Sequence, residues 1–370
     1  MKLKIDTPSL REAINKVLSV VDKKNSRPIL TNCVLKASKN KLEVIATDLE
    51  VSAKIILKAD VEVEGSFCIN SKNIADILRE LPNEQVTLNV DNSNLLNLNC
   101  KNINYSLLII SSEEFPQLSF QNQSSEFKLK AKQISHIINK TSHAISTDET
   151  RLYLNGIFFQ LTDSKLRAVA IDGHRLALLD TQEFIGENKF LIDGVIIPRK
   201  GINELKKIAE TYPDEEIKLS LDDSFMFVNA RDEYFLSIRL IAREYPKYQT
   251  VIPSKTTLKF HVDKQAILNA VKRVKILSNE KTNGIKILAE NNQLTISTNH
   301  PALGKAIEKL PVSYEGKSTE IGFNAKYLIE TLSVLNDTDV VFEFNNELSP
   351  VIVKAEDLPE FLGIIMPLKL

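Results

Sequence analysis

Residues 3–21 read LKIDTPSLREAINKVLSVV, residues 127–145 read FKLKAKQISHIINKTSHAI, and residues 258–277 read LKFHVDKQAILNAVKRVKIL. Each begins as an alternating apolar strand, passes through a short polar turn and continues as an amphipathic helix. The helical reading rests on apolar residues at i, i+3, i+4 and i+7. These are Leu10, Ala13, Ile14, Val17 and Leu18, then Ile134, Ile137 and Ile138, then Ile267, Ala270, Val271 and Val274. A repeat of roughly 125–130 residues is too long for a solenoid unit and matches the size of a domain. The expected organisation is three copies of one domain, over residues 1–122, 126–252 and 255–370.

A second anchor follows in each copy: GSFCINSKNIADILREL at 65–81, DGVIIPRKGINELKKIAE at 193–210 and TEIGFNAKYLIETLSVL at 319–335. A strand ends at Asn70, Pro198 or Asn324, a basic residue follows (Lys72, Arg199, Lys326), and a second amphipathic helix begins. Between the anchors lie two alternating strands per copy, such as NCVLKAS and KLEVIATD. More strands come after the second helix: QVTLNV and YSLLII, then IKLSL, FMFVNA and YFLSIRLI, then VVFEF and VIVKA. Short Asn, Asp and Gly turns join them, the signature of antiparallel hairpins. The expected class is α+β.

Composition excludes several functions. Nothing in MKLKIDTPSL resembles a secretory signal, and no apolar run approaches the length that spans a bilayer, so a cytoplasmic protein with no membrane association is expected. Cys33, Cys68 and Cys100 all fall in the first copy without a Cys-x-x-Cys, which reads as buried reduced thiols rather than a disulfide or zinc site. With no tryptophan and 6% aromatic residues, a base-stacking groove or carbohydrate platform is not expected.

Charge is segregated. The six helical segments 8–21, 71–81, 132–145, 199–211, 264–277 and 325–335 together carry +9, against −1 for the whole chain, so the remainder carries −10. Lys206, Lys207, Lys272, Arg273 and Lys275 lie off the apolar stripes. Helices gathered on one side of the sheets would form a basic wall on an otherwise acidic protein, the pattern that holds a polyanion.

Catalytic motifs are lacking. Gly304-Lys305 has neither the upstream glycine nor the following Ser or Thr of a Walker A loop, and there is no GxGxxG or GxSxG. His136, His143, His174, His261 and His300 are scattered, and no metal site or cofactor is expected. The turn Asp172-Gly173-His174-Arg175 is the one candidate for a reactive site, but no nucleophile or orienting partner accompanies it.

Several segments resemble the bacterial DNA polymerase III beta subunit family, the DNA sliding clamps. They are YLNGIFFQ (153–160), AIDGHRLAL (170–178), VIIPRKGINEL (195–205), EYPKYQTVIP (244–253), ILSNEKTNG (276–284) and IIMPLKL (364–370), with RPILTN (27–32) and TDLE (47–50). The resemblance runs the length of the chain in family order. It implies a head-to-tail homodimeric ring around double-stranded DNA, with two helices of each domain inside and antiparallel sheets outside. Implied partners are the polymerase III catalytic subunit, the clamp loader, and other polymerases and repair proteins carrying a clamp-binding peptide. By similarity, Lys24, Lys72, Tyr153, Arg199 and Lys200 are expected to contact DNA, and the charge pattern adds Lys206, Lys272 and Arg273. Asp148 is given no DNA role.

The resemblance also implies a hydrophobic peptide cleft. Its walls would be Leu154, Ile171, Gly173, His174, Arg175, Leu176, Pro246, Val251, Ile364, Ile365, Met366, Pro367 and Leu368. An apolar C-terminus is unusual by itself and implies packing; for Ile364 and Ile365 a plain core strand is the alternative. Ile171 stands where threonine occurs in a common family pattern, and Thr250 where a basic residue occurs. For ring closure, Tyr105 and Leu107 would meet Ile276 and Leu277 through strand addition, with Lys101 and Glu308 as a rim ion pair. Two other readings stay open: a nucleic-acid enzyme using the Asp172–Arg175 turn, and a static DNA coat.

Overall fold

The computed structural model describes residues 1–21, 27–91, 94–121, 126–181, 188–336 and 339–369. The first copy runs β1 (Lys2–Asp6), α1 (Thr7–Leu18), β2 (Asn32–Ser38), β3 (Lys41–Thr47), β4 (Val51–Lys58), β5 (Asp60–Val63), β6 (Gly65–Asn70), α2 (Ser71–Glu80), β7 (Gln85–Val90), β8 (Leu95–Cys100) and β9 (Ile103–Leu108). The second runs β10 (Phe127–Lys130), α3 (Ala131–Thr141), β11 (Gly156–Thr162), β12 (Lys165–Ile171), β13 (Arg175–Asp180), α4 (Lys189–Asp193), β14 (Val195–Pro198), α5 (Arg199–Thr211), β15 (Glu216–Leu221), β16 (Phe225–Ala230) and β17 (Tyr234–Arg239). The third runs β18 (Leu258–Asp263), α6 (Lys264–Lys275), β19 (Gly284–Glu290), β20 (Gln293–His300), β21 (Gly304–Pro311), β22 (Thr319–Asn324), α7 (Ala325–Ser333), β23 (Asp339–Phe344), β24 (Val351–Ala355) and β25 (Phe361–Ile365).

The strand-to-helix passages form where the sequence places them, because the joining residue caps the helix. Asp6, Asn70, Asp263 and Asn324 each accept a backbone N–H from the first turn that follows. That satisfies a donor with no partner inside the helix. The apolar stripes are then buried: Leu10, Ile14, Val17, Ile74 and Leu78 have no exposed surface. Each such side chain contributes about 2 kcal/mol through its removal from water.

The antiparallel strands form four sheets. One is β5-β1-β7-β8-β9, and another is β21-β20-β19-β22. Each of the remaining two has eight strands and is shared by neighbouring copies. In β10-β15-β16-β17-β4-β3-β2-β6 the junction is β17 on β4, with Ile238 opposite Val51 and Tyr234 opposite Ile55. In β14-β11-β12-β13-β25-β24-β23-β18 the junction is β13 on β25, with Arg175 opposite Ile365 and Leu179 opposite Phe361.

The chain accordingly divides into two compact units, Met1–Ser135 with Gly186–Phe190 and Lys200–Leu240, and His136–Ile185 with Leu191–Arg199 and Ile241–Leu370. The middle copy is shared between them, since a hydrogen-bonded ladder crosses each junction. The first unit packs α1 on α2 and over β3 and β4; the second packs α6 on α7 and over β20 and β21.

Candidate nucleic-acid interface and peptide cleft

The Asp172–Arg175 turn is shaped by its own side chains. One carboxylate oxygen of Asp172 accepts the backbone N–H of His174 at 2.8 Å and of Arg175 at 3.0 Å, and the other accepts Arg175 Nε at 3.0 Å. Gly173 sits at φ +92°, a left-handed conformation that glycine enters without strain, and a Cβ there would lie 2.8 Å from the mobile end of the Arg151 side chain. Arg175 is 7% exposed, donates to Glu330 of α7, and lays its guanidinium 4.5 Å from the Tyr327 ring centroid. The His174 ring stacks on the same tyrosine at 5.8 Å. Asp172 is thus committed to holding the turn.

Behind this turn an apolar face spans the β13–β25 junction. Ile171 lies opposite Leu176, and Leu176 opposite Ile364. Leu154, Leu176 and Ile364 pack with Phe158, Val169, Leu178, Ile196, Tyr245, Tyr248 and Ile352, while Tyr153, Ile171, Ile241, Ile252 and Leu362 flank them half-buried. Tyr245 stacks on Phe158 with centroids 4.6 Å apart and donates its hydroxyl to the Val169 carbonyl at 3.3 Å; burial pushes its phenol upward. Pro246 is half-buried beside it. At the rim, Val251 and Met366 leave 39% and 38% of their surface in solvent. The tail is pinned by Met366 N–H to the His174 carbonyl and by Leu368 N–H to the Gly322 carbonyl, both at 2.8 Å, with Pro367 between them.

Two expected wall residues face the other way. Ile365 is fully buried on the side of the sheet that α7 covers: Gly363, one pleat earlier, is the residue whose added Cβ would strike Thr331. Arg175, opposite Ile365, faces α7 as well. Tyr327, which sequence reading did not single out, carries His174 and Arg175. The available signal was Tyr327 and Glu330, three apart on one helix face. Tyr153, expected on DNA, is half-buried and packs against the same apolar cluster.

The basic candidates fall into two groups. Lys72 at the start of α2 and Lys272 on α6 are exposed and form no ion pair among the described residues. Lys206 is 3.8 Å from Glu210, a loose pair. By contrast, Arg199 donates to the carbonyls of Ile145 at 2.7 Å and Ser146 at 3.0 Å, and its burial lowers its pKa. Lys200 donates to the Val20 carbonyl at 2.7 Å and to Asp48. Arg273 forms a two-pronged pair with Glu308, and Lys101 pairs with Glu84 at 2.6 Å. The expected Lys101–Glu308 rim pair therefore starts from two groups already satisfied within the chain. Lys24 lies outside the described residues.

β9 and β21 end their sheets with open edges. Tyr105 and Leu107 are half-buried on β9, and Leu108 beside them is 83% exposed. Near β21, Ile276, Leu303 and Ile307 expose 76%, 61% and 52%, and Leu277 is half-buried. Among the described residues no group of three or more His, Cys, Asp or Glu is arranged to hold a metal. The three thiols are free and buried; burial pushes Cys33 up to about 12 and Cys68 up to about 11.

Three like domains joined edge to edge through shared antiparallel sheets, each with two amphipathic helices, define a clamp architecture. Models of the DNA polymerase III beta subunit match the N-terminal domain at residues 1–119, the central domain at 128–247 and the C-terminal domain at 249–369. The chain is 32% identical to the beta sliding clamp of Caulobacter vibrioides and 30% identical to that of Pseudomonas aeruginosa, covering 100% of each chain. Among solved structures it is similar to the Bartonella birtlesii clamp bound to griselimycin, with a TM-score of 0.95 at 30% identity and full coverage of both chains. It is likewise similar to the Pseudomonas aeruginosa beta subunit, with a TM-score of 0.94 at 29% identity and full coverage of both. The chain belongs to the DNA polymerase III beta subunit family, whose members are DNA sliding clamps, processivity factors rather than enzymes.

Proposed function

We propose that this chain closes head-to-tail with a second copy into a ring that encircles duplex DNA and tethers polymerases to it. The observation that carries this reading is the pattern of junctions. In two places the fourth strand of one copy pairs with the last strand of the next, β4 with β17 and β13 with β25. The equivalent strands left over are β21 and β9, the two open, apolar edges. A third junction of the same kind requires another chain, and a heterologous contact of this sort either closes or polymerises. Tyr105, Leu107 and Leu108 on one side, and Ile276, Leu277 and Ile307 on the other, are the proposed contacts.

Within the ring, the free ammonium groups of Lys72 and Lys272, with Lys206, meet phosphates and carry no base information. The groove beside β13 and β25, walled by Leu154, Ile171, Leu176 and Ile364 and rimmed by Val251, Met366, His174 and Tyr327, receives an apolar peptide from polymerases, the clamp loader or repair proteins. The domain boundaries 1–122, 126–252 and 255–370 and a cytoplasmic location belong to the same proposal. No helix among the described residues is long and apolar enough to cross a membrane.

The test loads the protein with a matching clamp loader and ATP onto a singly nicked circular plasmid, gel-filters it in moderate salt, and repeats after linearisation. Retention on the circle and loss from the linear form is the expected result. Equal retention on both means a static coat and sinks the ring.

A further inference from the structure

The β4–β17 junction repeats the geometry of the β13–β25 junction closely enough to be read position by position. Asp48 accepts the backbone N–H of Glu50 at 3.0 Å and of Val51 at 2.8 Å, as Asp172 does for His174 and Arg175. Leu49 takes φ +75°, where Gly173 takes +92°. Arg239 N–H donates to the Glu50 carbonyl at 2.8 Å, the counterpart of Met366 N–H on His174. The segments that border the two grooves also align, EEFPQLSFQ at 113–121 with REYPKYQTV at 243–251. Phe115 and Leu118 pack on Val34 and Cys68, as Tyr245 and Tyr248 pack on Phe158 and Ile196.

The contents of the two grooves differ. The register puts Ser52 and Ser237 where the open cleft has Leu176 and Ile364, and Lys54 and Phe235 where it has Leu178 and Leu362. Position 120 is a phenylalanine 8% exposed, whereas its counterpart Thr250 is exposed. The Lys54 ammonium stands 5.0 Å from the Phe120 ring and 4.5 Å from the Phe235 ring, a cation held between two aromatic faces. A space of about 230 Å³ remains beside Phe120, bordered by Ser220, Phe227 and Asn229.

We infer that the groove at the β4–β17 junction is a second copy of the peptide cleft, occupied by the chain's own Phe120 as a built-in ligand. This inference rests on the reading of the β13–β25 groove as the peptide site. It accounts for one open apolar cleft per chain in a molecule with two such junctions. It also gives the second groove its own chemistry, an aromatic side chain under a lysine.

The experiment titrates a fluorescein-labelled peptide of residues 116–121 (PQLSFQ) into the unaltered full-length protein and into Phe120→Ala, and counts peptides bound per chain. Phe120→Ala is expected to bind one more than the unaltered chain. The converse variant, Thr250→Phe, places the ring at the open cleft and is expected to weaken binding there by about tenfold, the effect of one buried aromatic anchor, while Thr250→Ser does not. An unchanged count in folded Phe120→Ala overturns the inference. Should that variant fail to fold, unchanged cleft affinity in Thr250→Phe overturns it instead. Loading on nicked circles is measured in parallel. Failure of the unaltered chain to load strikes at the ring, and the peptide counts decide the groove separately.

Discussion

At the residue scale, neighbours in sequence have opposite tasks. Arg175 is buried, charged and held by Asp172, Glu330 and the face of Tyr327, whereas His174 is exposed on the same ring. Arg175→Ala leaves two carboxylates without their cation and should lower stability by about 3 kcal/mol. His174→Ala should change it by less than about 0.5 kcal/mol and still weaken partner peptides. Urea unfolding with peptide titration separates the two; equal stability losses would show that the turn is not organised around Arg175. His143 sits beneath this turn with neither ring nitrogen hydrogen-bonded, and burial, with Arg175 nearby, pushes its pKa down to about 3. The unfolded chain binds a proton at His143 near its ordinary value of 6.5, whereas the native one resists until about 3. Stability should therefore fall as pH drops below 6.5, by up to about 1.4 kcal/mol per unit. His143→Phe should flatten that acid limb between pH 6.5 and 4.5, and an unchanged slope would remove His143 as its source.

At the element scale, the strand–cap–helix passages were legible because the apolar period and the Asp or Asn cap coincide at Asp6, Asn70, Asp263 and Asn324. The strands read least well were those without alternation. RLALLD of β13 is buried along most of its length, so it carries no period of two. LLNLNC of β8 does alternate, but its Asn residues continue the Asn and Asp run before it and mask the strand as turn. Ile365 was misplaced for a related reason: a strand buried on both faces gives no sequence signal of which side meets the cleft. Tyr327 was missed because it lies across the fold from the turn it supports. The edge strand β21 is hard to read as well, because its half-buried face carries Ala306, Glu308 and Leu310 while Ile307 faces outward, so burial alternates but hydrophobicity does not. A charge placed on such an edge should block pairing without harming the sheet. Leu108→Lys is expected to turn the assembled protein into single chains by sedimentation, with its melting point as a dilute single chain unchanged. A ring that survives this change would place closure elsewhere.

At the scale of the whole molecule, a near-neutral chain has to hold a polyanion loosely enough to slide. Charge counting along the helices gave the sign of the helical surface but overstated the number of free cations, because hydrogen-bond partners are not visible in sequence. Arg199 and Lys200 are committed to carbonyls and to Asp48, and Arg273 to Glu308. Those groups would have to leave internal partners to meet a phosphate, whereas Lys72 and Lys272 would exchange only water and counterions. The slope of log K against log salt counts phosphates neutralised. Lys72→Ala and Lys272→Ala should each reduce the slope for a short linear duplex by about one. Arg273→Ala should leave that slope nearly unchanged, because the charge it removes is already balanced by Glu308. If Arg273→Ala flattens the slope as much as Lys72→Ala does, the Arg273–Glu308 pair opens on DNA, and the count of sliding contacts must include it.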